Sequence, residues 1–203
     1  LEQLGEPGTW AFDLVRKAED GDDVPRGAWR IGRARYDSPS FLLDNARLDR
    51  VGDGSVRPTG TDRPEVWAFI PESVKDAPAG SVPVMIIGHG IFSRARDMID
   101  IDGTWATLRV PAEEGWIVLA ADLRGLDWND RAGAITVADD FGRLNEIPDR
   151  MLQGQINQHA LIQLLTEGGL ADDPMFQGAN GQKLLDTSNI TWWGMSMGSI
   201  LGG

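Results

Sequence analysis

The residues best suited to covalent chemistry are Gly194-Met195-Ser196-Met197-Gly198, a serine with a glycine two places to either side. A sharp turn from strand into helix can lift such a hydroxyl clear of a sheet, at the cost of a strained backbone at the serine. The neighbouring chain then passes so close that Cβ atoms at the flanking positions would collide, and glycines 194 and 198 meet that demand. "ITWW" before the pattern reads as a strand and "SILGG" after it as the start of a helix, so the setting is the required one. Ser199, Gly202 and Gly203 continue the run of small residues and let that helix lie tightly on the sheet.

A serine that attacks a carbonyl creates a negatively charged oxygen, which needs backbone N–H groups aimed at it. One donor is expected from the residue after the serine, Met197. The other is expected from Gly88-His89-Gly90-Ile91-Phe92, which follows the apolar run "VMII". His89 and Gly90 turn the chain back toward the serine, and Ile91 supplies the amide, with Phe92 one place behind. The same glycines fit a dinucleotide loop less well, because Ser93 replaces its third glycine and no acidic residue stands convincingly at the expected distance.

A hydroxyl also needs a base. The chain has two histidines, both before the serine. His89 belongs to the loop and reads as structural; His159 falls inside a predicted helix beside apolar positions. No acidic residue or histidine follows Ser196.

The elements that must hold these groups are legible from about residue 62. "EVWAFIPES", "VPVMIIGHG" and "WIVLAAD" are short branched apolar runs of the kind found in buried strands, and "GQKLLDTSNITWWG" leads into another. "IPDRMLQGQINQHALIQLLTEGG" places Met151, Ile156, Ala160, Leu161, Leu164 and Leu165 close to helical spacing, with Asp149 at an expected N-cap and Gly168-Gly169 at its end. Strands alternating with helices predict an α/β fold with a mostly parallel sheet covered on both faces. Residues 1–61 are rich in Gly, Pro and Asp; "AWRIGRARY" alternates as an antiparallel strand does, and the segment is expected to flank the main core as strands and loops. The division is therefore residues 1–61, rich in strands and loops, and 62–203, the α/β part.

Strand, HG loop, helix, strand ending in "DLRG", helix and strand leading to the G-x-S-x-G turn resemble, in this order, the first half of an α/β-hydrolase. More narrowly, "IIGHGIFSRARD", "AADLRG", "IPDRMLQGQINQHALIQLL" and "LLDTSNITWWGMSMGSILG" resemble bacterial esterase/lipase-like serine hydrolases over residues 62–203. Gly198-Ser199 departs mildly from the pair of glycines common there. The resemblance implies Ser196 as nucleophile, the amides of Ile91 and Met197 as oxyanion donors, and His89, Gly90, Gly194 and Gly198 as supports. It implies a small-molecule or lipid-like ester as substrate. It also implies an acid and a histidine after the nucleophile, so the chain is expected to be part of a longer enzyme, with the fold incomplete past the serine turn.

Composition narrows the rest. The chain has 203 residues, 41% hydrophobic and 25% charged, within the range of globular proteins. A formal charge of −12 repels phosphate backbones, so no nucleic-acid partner is expected. No apolar run approaches the ~20 residues of a membrane span. The absence of cysteine removes disulfides and thiolate sites without fixing a compartment.

Neither metal nor cofactor is expected. "DMIDIDGTWATLR" puts Asp100, Asp102 and Gly103 in register with a calcium loop, but its chelating ends would be Met98 and Arg109. Asp122 and Arg124 read as a pair fixing a loop, Asp139 and Asp140 as acids with no base to orient. Trp192 and Trp193 read as core residues on opposite faces, and Trp105 and Trp128 as candidates for an acyl pocket. A peptidase or thioesterase, or a binding module of the same fold without catalysis, would share these motifs.

Overall fold

The structure is a computed structural model that describes residues 5–44, 46–100, 105–125 and 127–202. Branched apolar runs form the middle of its sheet because both of their faces are covered. These are β7 (Glu65–Pro71), β8 (Val82–Gly88) and β9 (Ile117–Ala121). Their side chains alternate between two cores, as the two-residue repeat of a strand requires. Val66, Ala68 and Ile70 of β7 face one core; Trp67 and Phe69 face the other.

The first core is closed by α4 (Glu146–Thr166), through Ala160, Leu161, Leu164 and Leu165. The second is closed by α1 (Ala95–Ile99) and α2 (Trp105–Glu114), through Ala95, Met98, Ile99, Leu108 and Ala112. The sheet is completed by β1 (Trp10–Lys17), β2 (Ala28–Tyr36) and β10 (Leu185–Gly194), in the order β1-β2-β7-β9-β8-β10. Helices α3 (Arg131–Asp139) and α5 (Met197–Leu201) complete the α/β fold.

The expectation of a mostly parallel sheet is corrected. Only β8–β9 and β8–β10 are parallel; β1–β2, β2–β7 and β7–β9 are antiparallel, so the sheet is mixed. The short connection from β7 to β8 reverses the chain, so β9, parallel to β8, meets β7 antiparallel. A parallel neighbour needs a crossover of a dozen or more residues, usually a helix. Residues 72–81, between β7 and β8, hold one 3₁₀ turn and no such helix. Strands from before residue 62 thus share a sheet with those after it.

Two small antiparallel ribbons lie beside α4: β3 (Ser38–Ser40) with β6 (Gly60–Asp62), and β4 (Leu42–Leu43) with β5 (Arg47–Leu48). They explain why the first half of α4 buries polar residues. Gln153 accepts from Phe41 N–H at 2.8 Å and donates to Pro39 O at 2.9 Å, while Asn157 donates to Asp62 at 2.9 Å. Asp149 is not the N-cap, which is Asn145. Its buried carboxylate instead takes both arms of Arg50, at 2.8 and 2.6 Å, and Leu48 N–H at 3.0 Å. The Arg50 bonds hold its pKa below the usual carboxylate range.

Asp149→Ala therefore strands a buried N–H and an arginine together. The expected loss is about 1–3 kcal/mol at neutral pH, moderated because half of the Arg50 side chain is in water. Urea unfolding curves of the two proteins measure it. The difference should shrink as pH falls through the depressed pKa of Asp149, where its carboxylate takes up a proton and its contribution to the parent is lost.

Candidate active site

Parallel pairing sets the level of the site. In the β8–β10 ladder Trp192 faces Ile86, Trp193 faces Ile87 and Gly194 faces Gly88, so both strands end together in glycine. Beyond that point the two chains bond to each other. Met195 N–H donates to Gly88 O at 3.0 Å, and Gly198 N–H donates to His89 O at 3.0 Å. Between these anchors Ser196 has φ 55 and ψ −119, a conformation that costs a non-glycine residue on the order of 1–3 kcal/mol. Ser196 is exposed to solvent, at the head of α5.

The flanking glycines sit where close approach requires them. A Cβ on Gly194 would lie 2.3 Å from the carbonyl of Gly198, and one on Gly198 would lie 2.3 Å from Gly88 O. A Cβ on Gly90 would stand 3.5 Å from Ser196 Cβ and 3.9 Å from its Oγ. The HG loop and the serine are thus neighbours, as their sequence spacing could not show.

Gly90-Ile91-Phe92-Ser93 is a turn closed by Ser93 N–H to Gly90 O at 3.2 Å. Phe92 has φ 58 and Ile91 has no positive φ, the type II pattern in which glycine is the usual third residue. Among the described residues, neither the Ile91 nor the Met197 amide donates a hydrogen bond. Each belongs to the residue directly after one side of the Gly90–Ser196 contact.

His89 is fully buried, and both ring nitrogens are engaged. Leu123 N–H donates to Nε2 at 2.9 Å, so the proton is on Nδ1, which donates to Gly90 O at 2.8 Å. Burial lowers its pKa, which keeps the ring neutral. It therefore fixes the loop. His159 is exposed on α4, between buried residues at 158 and 160.

Asp122 and Arg124 do not pair with each other. Asp122 accepts Ala95 N–H at 2.8 Å at the start of α1, whereas Arg124 binds Asp62 at 2.6 Å. Burial pushes the Asp122 pKa up to about 6. Asp127 and Asp130, outside the motifs singled out in the sequence, are both buried in the turn after "DLRG". Asp127 accepts Asn129 N–H at 2.6 Å and Asp130 N–H at 3.0 Å. Burial, then the Asp130 carboxylate, push Asp127 up to about 7. The acidic spacing in "DWND" was the available signal, though surface turns carry the same pattern. Trp128 N–H ties this turn to Ser93 O at 2.9 Å.

Other expected residues stand elsewhere. Trp192 lies against the first core and donates to Gly198 O at 3.0 Å, whereas Trp193 is 42% exposed. Trp128 is held against Arg94 and Arg131, at 5.1 and 4.3 Å from ring centroid to guanidinium carbon. Asp139 and Asp140 are exposed at the end of α3, where Asp140 accepts Gly142 N–H. Asp100 pairs with Arg16 and Arg96; Asp102, Gly103 and the Trp105 side chain lie outside the described residues. Among the described residues no group of three or more histidines and carboxylates is placed to hold a metal ion, and no helix is long and apolar enough to cross a membrane.

No family model matches the chain, and no curated protein matches it significantly. In shape it is similar to solved esterases. An acetyl xylan esterase from Paenibacillus sp. R4 gives a TM-score of 0.47 at 18% identity, over 97% of this chain and 48% of that one. A cold-adapted esterase from an Arctic intertidal metagenomic library gives 0.42 at 13%, over 89% and 56%. The rice cell wall degrading esterase LipA from Xanthomonas oryzae, in a ligand-bound form, gives 0.41 at 13%, over 95% and 42%. The chain spans about half the length of these proteins.

Two measurements test this geometry. Gly198→Ala drives a methyl into the backbone of Gly88, and a loss of about 1–3 kcal/mol is expected in thermal or urea unfolding. Asp127→Asn keeps the acceptor and removes the charge. Because the folded pKa is raised, the parent loses stability as pH rises from about 4 through about 7. The variant should match it near pH 4 and exceed it at pH 8; parallel stability curves would contradict the buried-proton account.

Proposed function

We propose that this chain carries the nucleophile and the oxyanion donors of a serine hydrolase that cleaves a carboxylic ester. The observation that carries the reading is the exposed Ser196, held at positive φ on the exit of β10, with the Gly90 loop against its side chain. Ser196 Oγ attacks the ester carbonyl, and the resulting oxyanion is received by the Ile91 and Met197 amides. Collapse of this intermediate expels the alcohol and leaves an acyl group on Ser196. Water then attacks the acyl carbon through a second oxyanion, releasing the carboxylic acid and restoring the hydroxyl.

The proton on Oγ must go to a base. Both nitrogens of His89 are committed, and His159 is one of the exposed residues of α4, which packs along one sheet face. The reading therefore draws its histidine, and the carboxylate that orients it, from polypeptide beyond these 203 residues. The lack of a free buried histidine equally suits a binding module of this fold, and experiment separates the two.

The protein expressed from its complete reading frame should be labelled by a fluorophosphonate, and Ser196→Ala should abolish labelling and lower ester turnover on the order of 10⁶-fold. Labelling that persists in the variant places the nucleophile elsewhere; a folded parent that is never labelled favours the binding module. A sharper variant is Ile91→Pro. Proline suits the second position of a type II turn and removes only an unused N–H. Turnover should fall about 10²–10³-fold with melting temperature unchanged; unaltered turnover would remove Ile91 from the mechanism.

A further inference from the structure

A cavity of about 330 Å³ opens where β2 ends, β7 begins and β9 ends. Because β7 runs antiparallel to β9, and β9 parallel to β8 and β8 to β10, this is the same edge of the sheet from which Ser196 projects. Adjacent strands lie about 4.8 Å apart, so the cavity centres on the order of 10–14 Å from the serine, with the HG loop between.

Its lining is charged or amide-bearing at every position except Pro64. Two donors and two acceptors there keep unused capacity. The Arg35 guanidinium has no partner among the described residues. Arg124 uses one arm on Asp62, Glu65 uses one oxygen on the Trp67 indole at 2.6 Å, and Asp122 uses one on Ala95 N–H. Asn157, almost fully buried, braces Asp62 from below and is itself braced by Gln153. The walls are therefore built before any ligand arrives.

The chemistry of the lining excludes most ligand classes. An apolar chain would strip water from arginines and carboxylates without replacing it, at a cost of several kcal/mol. A phosphate would face five carboxylates, Asp62, Glu65, Asp122, Asp127 and Asp130, against four guanidiniums, of which Arg63, Arg94 and Arg124 are already paired with Asp37, Asp97 and Asp62. Metal-binding geometry is absent among the described residues. A neutral group bearing several hydroxyls satisfies both kinds of wall, since each hydroxyl donates one hydrogen bond and accepts others. The volume is at the small end of pockets that enclose small molecules, about 300–1,000 Å³.

We propose that this cavity is a subsite for a neutral polyhydroxylated group, a sugar ring or an equivalent polyol, joined to the ester that Ser196 attacks. The word subsite rests on the hydrolase reading; the binding of the polyol does not. The hydroxylated part sits against Arg35, Glu65, Asp122 and Arg124 while the ester reaches across the HG loop to the serine.

Binding is tested on the protein expressed from its complete reading frame by amide NMR titration with methyl glycosides of the common pentoses and hexoses, with inorganic phosphate and decanoate as competitors. Saturable shifts at Arg35, Glu65 and Arg124 are expected from at least one glycoside. Arg35→Ala, at an exposed position without a partner among the described residues, should weaken its affinity about tenfold, and Glu65→Gln should do so independently. The proposal is overturned if no glycoside saturates, if phosphate or decanoate shifts these residues more strongly, or if both variants bind as the parent does. Ser196 labelling without glycoside binding removes the subsite alone; glycoside binding without labelling removes the hydrolase reading and leaves a polyol-binding module.

Discussion

Strands β8 and β10 run side by side and finish level, and at that level neither carries a side chain. The rest of the site follows from this bare position. With no Cβ at Gly88, Gly194 or Gly198, the first turn of α5 can rest on the end of β8 at backbone contact distance. The chain must then leave β10 and return within the span from Gly194 to Gly198, and Ser196 at the top of that bend takes φ 55 because no relaxed conformation closes it. The strain is held by Met195 N–H on Gly88 O, Gly198 N–H on His89 O and Ser199 Oγ on Gly194 O at 2.6 Å. Two of these bonds also anchor the strand end that feeds the HG loop. One packing contact therefore positions both Ser196 and the start of the HG loop.

The loops after β8 and β9 behave as one hydrogen-bonded unit. Leu123 N–H reaches His89, Trp128 N–H reaches Ser93 O, and Asp122 receives Ala95 N–H. Each bond joins the segment after one strand to the segment after the other. The cost of this arrangement is the burial of carboxylates, seen in the raised pKa values of Asp122 and Asp127. On the proposed hydrolase reading such bracing matters, since donors that must move into place at the moment of reaction contribute less.

What the sequence made legible, and what it hid, divides along the range of the forces involved. β8, β9 and the end of β10 were readable because strands covered on both faces collect branched apolar residues, and the serine turn because steric limits at Gly194 and Gly198 are local. Strand direction was not, although residues 72–81 were too short for a crossover; alternation of strand and helix further along outweighed that clue. Gln153, Asn157 and Asp149 were missed for a different reason. Their partners, Phe41, Asp62, Leu48 and Arg50, lie about a hundred residues earlier, and no periodicity within α4 encodes them. Asp149 near a helix start looked like a cap because local rules are all that a helix sequence displays.

His89 shows why holding a loop and moving a proton call for different histidines. A base must present an unprotonated nitrogen to the serine while its other nitrogen donates to a group that welcomes the growing positive charge, usually a carboxylate. In His89 the unprotonated Nε2 is already filled by the Leu123 amide, and Nδ1 donates to the Gly90 carbonyl. Protonating it would break the first bond and bury a charge that burial already disfavours. The features that make this ring a good strut for the HG loop, a fixed tautomer and a dry surrounding, are those that disqualify it as a base. On the hydrolase reading the base at Ser196 is therefore a group other than His89, reaching a serine that stands exposed to solvent.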